Sequence, residues 1–223
     1  KKVFFLLFFL FLFFRGTSQF LKESKVSGNI ESNSHYYIND PDFGFKAPEN
    51  AFATNNYFRL NYRFKSFEAG LQYENYLPPL MGYAQKLEGH RLVHRYISQS
   101  TKNRKITLGH FYDQFGSGLT FRAYEDRALG INTALDGLRY EMNPFDVLSF
   151  KAIAGKQLGY KKNGTSIVLG GQFVFSVSEL FFPEKNPTLE LELGCLTKSG
   201  KEAEEVWIDR SPKYVTSYFG GLN

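Results

Sequence analysis

YFRLNYRFKSFEAGLQYE, residues 57–74, decides the fold. Phe58, Leu60, Tyr62 and Phe64 alternate with Tyr57, Arg59, Asn61 and Arg63; beyond Lys65-Ser66, Phe67, Ala69, Leu71 and Tyr73 alternate with Glu68, Gly70, Gln72 and Glu74. A period of two marks strands whose faces meet different surroundings. Two strands, 57–64 and 67–74, joined by a two-residue connection place Phe64 opposite Phe67. The register that follows sets Tyr62 against Ala69, Leu60 against Leu71 and Phe58 against Tyr73 on the apolar face. On the polar face it sets Arg63 against Glu68 and Arg59 against Gln72.

The pattern recurs along the chain. Residues 27–38 alternate without a strong apolar face, which suits a first, lumen-edge or plug strand, and Asn39-Asp40-Pro41-Asp42 opens a loop reaching Asn56. Leu77-Pro78-Pro79-Leu80 ends the hairpin because proline cannot donate to a ladder, and residues 81–90 form a loop. Further strands are expected at 91–101 and 105–113, the second with Ile106, Leu108, His110 and Tyr112 on one side. Residues 114–133 are long, glycine-rich and charged. A second hairpin, 134–142 and 147–157, turns about Asn143-Pro144-Phe145-Asp146; strands follow at 167–177 and 189–195. Serial hairpins are antiparallel up-and-down β topology.

The first residues read differently. Lys1-Lys2, the apolar run Val3 to Phe14 and Arg15-Gly16-Thr17-Ser18 have the layout of a signal peptide cleaved after Ser18. Twelve residues span only about 18 Å as a helix, short of the roughly 30 Å hydrocarbon core. Lys1, Lys2 and Arg15 lie in that segment, so the formal charge of +5 falls to +2 without it, which leaves no basic signature for nucleic acid. The single Cys195 allows no internal disulfide. Aromatic residues make up 17% of the chain, while its mean hydropathy is −0.32, too polar for helical membrane spans and too aromatic for disorder.

These features point to an outer-membrane β-barrel. If Leu189, Leu191 and Leu193 face lipid, Glu190 and Glu192 must face a wet lumen, since charge at the bilayer midplane costs about 2–4 kcal/mol. With Lys65-Ser66 at the periplasmic end, parity places Lys102-Asn103 and Asn143 to Asp146 there too, and the long connections Pro78 to His90 and Gln114 to Thr133 outside. Only Glu179 to Pro187 is a long loop on the short side. Phe58, Phe64, Phe67, Tyr73, Tyr140 and Phe145 are read as strand-end aromatics of an interfacial girdle. A soluble barrel or sandwich also alternates, but would turn the apolar residues inward.

Catalytic and metal signatures are weak. Gly116-Ser117-Gly118 fits neither a dinucleotide loop nor a nucleophile elbow. His90 and His94 lack the zincin glutamate between them, Asp40 and Asp42 read as turn chemistry, and Asn163-Gly164-Thr165 matches a glycosylation triplet but suits a turn better. His110 near Ser117 is the one hint of a hydrolase. No catalytic residue, metal or cofactor is assigned. The lumen-lining or constriction candidates are Arg59, Arg63, Glu68, Glu74, Glu190 and Glu192 on strands and Arg122, Glu125, Asp126 and Arg127 in the long loop. That loop either folds into the lumen as a constriction with a transverse field or stays outside, held by its own ion pairs, and the second is the plainer reading.

Residues 109–119, GHFYDQFGSGL, and 121–132, FRAYEDRALGIN, resemble an uncharacterised family of Bacteroidetes-type outer-membrane β-barrel proteins, with Gly28 to Ser32, Tyr76 to Leu80 and Asp136-Gly137 similar to further blocks. The resemblance implies a large barrel in the cell outer membrane and no catalytic residues. The expected organisation is a signal peptide at 1–18, an N-terminal strand and loop at 19–56, and all-β barrel hairpins at 57–223, forming a curved, incompletely closed sheet of an N-terminal fragment. Expected partners are outer-membrane lipid and an envelope protein, with no nucleic acid.

Overall fold

The computed structural model describes residues 23–127, 129, 131–158, 166–181, 189–200 and 214–222. The signal segment 1–18, the 161–165 loop and residues 182–187 of the 179–187 loop lie outside the described residues.

Ten strands form one antiparallel sheet: β1 (Ser24–Tyr36), β2 (Phe52–Phe64), β3 (Phe67–Tyr76), β4 (Gly89–Ser100), β5 (Arg104–Phe111), β10 (Leu135–Phe145), β11 (Leu148–Gln157), β12 (Ile167–Ser176), β13 (Glu190–Ser199) and β14 (Tyr214–Leu222), in that spatial order. Between β5 and β10 an insertion builds two small pairs, β6 (Asp113–Phe115) with β7 (Phe121–Ala123) and β8 (Glu125–Asp126) with β9 (Ile131–Asn132). A short helix, α1 (Val177–Phe181), follows β12. The protein is all-β, and its sheet is open, with β1 and β14 as edges. No helix among the described residues is long and apolar enough to cross a membrane, which says nothing of strands.

The β2–β3 pairing has the register expected from alternation, from Phe64 opposite Phe67 to Tyr57 opposite Glu74. Lys65 enters the turn at φ 52°, in the left-handed region. Followed across the ladder, Tyr62, Ala69, Ile97, Leu108, Leu138, Ala154, Leu169 and Thr197 make one continuous row. The neighbouring row, on the opposite face, is Arg63, Glu68, Ser98, Thr107, Arg139, Ile153, Gly170 and Leu196. The first row is open to the surroundings, with Leu108, Leu138 and Leu169 at 51%, 41% and 53% exposure. The second row is the face the insertion covers.

Several boundaries differ from the sequence reading. β2 begins at Phe52, inside the stretch assigned to loop, because β1 pairs with it from Phe64 to Phe52 and Thr54 bonds to Pro78 and Leu77 across the other edge. Asn143-Pro144 is a register irregularity within β10, between Met142 and Phe145, and the connection is Asp146-Val147; the bulge accommodates a proline that cannot donate. Phe58, Tyr73 and Tyr140 consequently sit inside strands, and only Phe64, Phe67 and Phe145 keep their place at strand ends. Tyr112 leaves the Ile106–Leu108 side after Gly109, at φ 99°, and stacks on His94, with ring centroids 5.1 Å apart. β14 is an additional strand.

Glycines on the covered face give rings a place to lie. A Cβ on Gly70 would run into the Tyr96 ring and stand 2.9 Å from Asn61 Oδ1. The Tyr96 hydroxyl, in turn, donates to Glu68 at 2.6 Å. Gly70→Val is therefore expected to lower unfolding stability by about 1–3 kcal/mol through overpacking, read by denaturant titration of the folded protein; an unchanged midpoint would show that Tyr96 is free to move aside.

An insertion docked on the polar face

The insertion is held at two places. Phe115, fully buried, packs with Phe111, Phe121, Leu135, Ile153, Val168 and Leu196, and Phe219 packs against the same cluster. Its ring occupies the space a side chain on Gly170 would need: Cε2 stands 2.5 Å from the position of a Cβ there. Beside it, Lys151 Nζ donates to Asp113 Oδ1 at 2.7 Å and to the Gln114 carbonyl at 2.8 Å. Arg139 Nε lies 3.0 Å from Asp113 Oδ2 and its Nη2 2.7 Å from Glu141. The Asp113 side chain is 4% exposed, so two cations neutralise one nearly buried carboxylate. Alternation on β10 and β11 turns Arg139 and Lys151 to the covered face, and this is why their charges are available there.

The second attachment uses β8–β9. Gln72 Nε2 donates to Glu125 at 2.9 Å and to Glu74 at 3.2 Å, while Gln72 Oε1 accepts two bonds from Arg59, at 3.2 and 2.8 Å. Arg127 lies 3.7 Å from Glu125, 3.6 Å from Glu31 of β1, and 4.8 Å from the Tyr57 ring centroid. The insertion thus reaches both halves of the sheet.

Between the second attachment and β2–β4 lies a cavity of about 440 Å³ lined by Ser27, Arg59, Asn61, Arg63, Glu68, Gln72, His94, Tyr96, Tyr112 and Glu125 among others. Burial pushes the Tyr112 phenol well above its ordinary range, and the nearby Glu125 charge adds to the shift.

The ten residues singled out from sequence divide as follows. Arg59, Arg63, Glu68 and Glu125 meet at this cavity. Glu74 does not open into it; its carboxylate is buried under the Tyr76 hydroxyl at 3.1 Å and Arg91 at 3.3 Å. Arg127 braces Glu125 from behind. Asp126 caps its own turn, accepting from the Leu129 amide, and Arg122 is exposed over the Tyr124 ring. Glu192 approaches Gly116 of the insertion, and Glu190 lines a separate hollow of about 350 Å³ with Glu179 and Asp146. The long loop is therefore not held by its own ion pairs alone; it is bonded to β1, β3, β10 and β11.

Asp113, Phe115, Lys151, Arg139 and Gln72 were not among those ten. Alternation points Lys151, Arg139 and Gln72 to the polar face, but nothing local joins Asp113 to a lysine 38 residues on. His110 engages the Val93 carbonyl at 3.0 Å and Asp136 at 3.4 Å, while Ser117 is exposed at the β6–β7 turn, so the two do not form a nucleophile–base pair. His90 stacks on Tyr73 and His94 on Tyr112. No group of three or more His, Cys, Asp or Glu residues among the described residues could hold a metal.

The model of a family of unknown function, DUF6029, matches residues 1–221. The chain belongs to the DUF6029 family. No curated protein matches it. In this DUF6029 chain the blocks 109–119 and 121–132 quoted from the sequence are the insertion itself and the end of β5 leading into it.

Phe115→Ala removes the apolar anchor, an exchange that costs about 3–5 kcal/mol in a packed core. The expected outcome is undocking of β6–β7, seen as fast amide exchange across 113–123 while β2–β3 stays protected; equal protection in both proteins would contradict the anchoring role of this ring.

Proposed function

We propose that this protein is an outer-membrane β-barrel, exported by a signal peptide at 1–18, that acts as a channel or as a transport or secretion accessory and has no catalysis of its own. In this reading the insertion narrows the lumen, and the polar face of β2–β4 is the lumen wall. The observation that carries it is the exposed apolar face. Leu138, Ile97, Leu108, Leu169, Phe173 and Leu193 are each more than 40% exposed on strands whose other face is polar or covered by the insertion. A soluble monomer rarely leaves so broad an apolar surface to water, whereas lipid accepts it.

Two opposite charges on that face are paired with each other. Asp136 alternates with Leu138, and lies one residue from the start of β10, where it pairs with Arg95 at 3.3 Å. The pairing offsets part of the cost of a charge in lipid for Arg95, which stands mid-strand in β4 opposite Leu71. The soluble alternative would require a second layer over this face.

A structural or docking barrel is the second reading, favoured by how much of the polar face the insertion occupies; external loops would then hold an envelope partner. Planar-bilayer recording on the full-length protein separates the two. The channel reading expects stepwise ion conductance that grows when Phe115→Ala frees the insertion. Silent membranes containing inserted protein, with and without the substitution, would leave only the docking barrel.

A further inference from the structure

The cavity beside the insertion has an arrangement of charges that selects its occupant. Glu68 is held by Tyr96 at 2.6 Å and Arg63 at 3.2 Å. Glu125 is held by Gln72 at 2.9 Å and by Arg127 at 3.7 Å, a cation it shares with Glu31. Arg59, by contrast, has no carboxylate partner among the described residues; Nε and Nη2 both go to the neutral Gln72 Oε1. Gln72 cannot turn away, because its amide nitrogen is committed to Glu74 and Glu125. The lining is neutral in sum, Arg59 and Arg63 against Glu68 and Glu125, but Arg59 is its one cation with no carboxylate in direct contact, and the Nη1 side of its fork is left over.

We infer that this cavity is a binding site for a small monoanion, a carboxylate carried on a hydroxyl-rich body, with Arg59 as the group that receives the carboxylate. The open side of the Arg59 fork takes one carboxylate, and Glu68 and Glu125 on the same wall disfavour a dianion such as a phosphate monoester. Those carboxylates accept from hydroxyls, and the Asn61 amide both accepts and donates. Nδ1 of His94, on the same wall, is buried with no hydrogen-bond partner, and exchanges a bond with a ligand hydroxyl. The Tyr96 ring, lying over Gly70, supplies an apolar surface for a sugar-like ring. A volume of about 440 Å³ falls in the range of small-molecule sites.

The site rests on the cavity's own charges and holds whether or not the protein conducts. Isothermal titration calorimetry of the full-length protein, folded in detergent, against glucuronate, glucose and glucosamine tests it. Glucuronate is expected to bind and the other two to bind far more weakly. Arg59→Gln is expected to weaken glucuronate at least about tenfold, as loss of a charge-assisted hydrogen bond does, while Arg122→Gln, outside the cavity, leaves it unchanged. Asn61→Leu, which fills the cavity floor without touching the ion pairs, should abolish the heat even if Arg59→Gln fails to fold. Equal affinity for glucose and glucuronate, indifference to both cavity substitutions, or no binding of glucuronate overturns the assignment. A protein that binds glucuronate yet stays silent in bilayers would overturn the channel reading alone.

Discussion

Everything in this structure depends on a period of two held in register over ten strands. Successive side chains of a strand point to opposite faces, so a slip of one residue anywhere would exchange leucines for arginines across the remaining ladder. The two-residue turn at Lys65-Ser66 fixes the first pair, and each later hairpin inherits its phase. Where the phase is disturbed, at Gln72/Tyr73 and at Met142/Phe145, the ladder resumes with the apolar residues again on the open face.

The second consequence of alternation is that the polar face is not uniform. Its row beginning at Arg63 and Glu68 is charged over β2 and β3 but turns to Ile153, Gly170 and Leu196 over β11 to β13. The insertion has matching halves. Its Phe115 end packs on the apolar part and its Glu125–Arg127 end pairs with the charged part. Between them, Asp113 sits with Lys151 and Arg139, a charge arrangement that is costly to bury and costly to break once made. A covered face of this kind keeps water near Arg59 and Glu68 while excluding it from Phe115.

The register and turn of the hairpin at 57–74 were legible to the residue, because its alternation is strict and its turn short, though β3 runs on to Tyr76. β1 was legible as a strand without an apolar face, with first, lumen-edge and plug positions all open to it, and it lies at the sheet edge at Ser24–Tyr36. The start of β2 was not: Ala53-Thr54-Asn55-Asn56 has little strand propensity, and what orders it is pairing to β1 and to Leu77 and Pro78. β14 was missed because alternation of Tyr214, Thr216 and Tyr218 is too weak to stand without β13 beside it. At the cavity, Arg59, Arg63 and Glu68 followed from the face they share. The contact of Gln72 with Glu125, 53 residues apart, did not, since the path of an insertion is decided by tertiary packing that no local pattern encodes. Nor did the burial of Glu74, which depends on Tyr76 and Arg91 closing over it.

The central claim is that the open apolar face meets lipid and the polar face meets water. Nitroxide labels placed one at a time at residues 57–64 of β2, in a Cys195→Ser background reconstituted in lipid vesicles, test it by collision with oxygen and with a water-soluble nickel chelate. The account predicts a period of two, with oxygen favoured at Phe58, Leu60, Tyr62 and Phe64 and the nickel chelate favoured at Arg59, Asn61 and Arg63. Equal oxygen and nickel accessibility on both faces, or nickel favoured at Phe58, Leu60 and Tyr62, would contradict it.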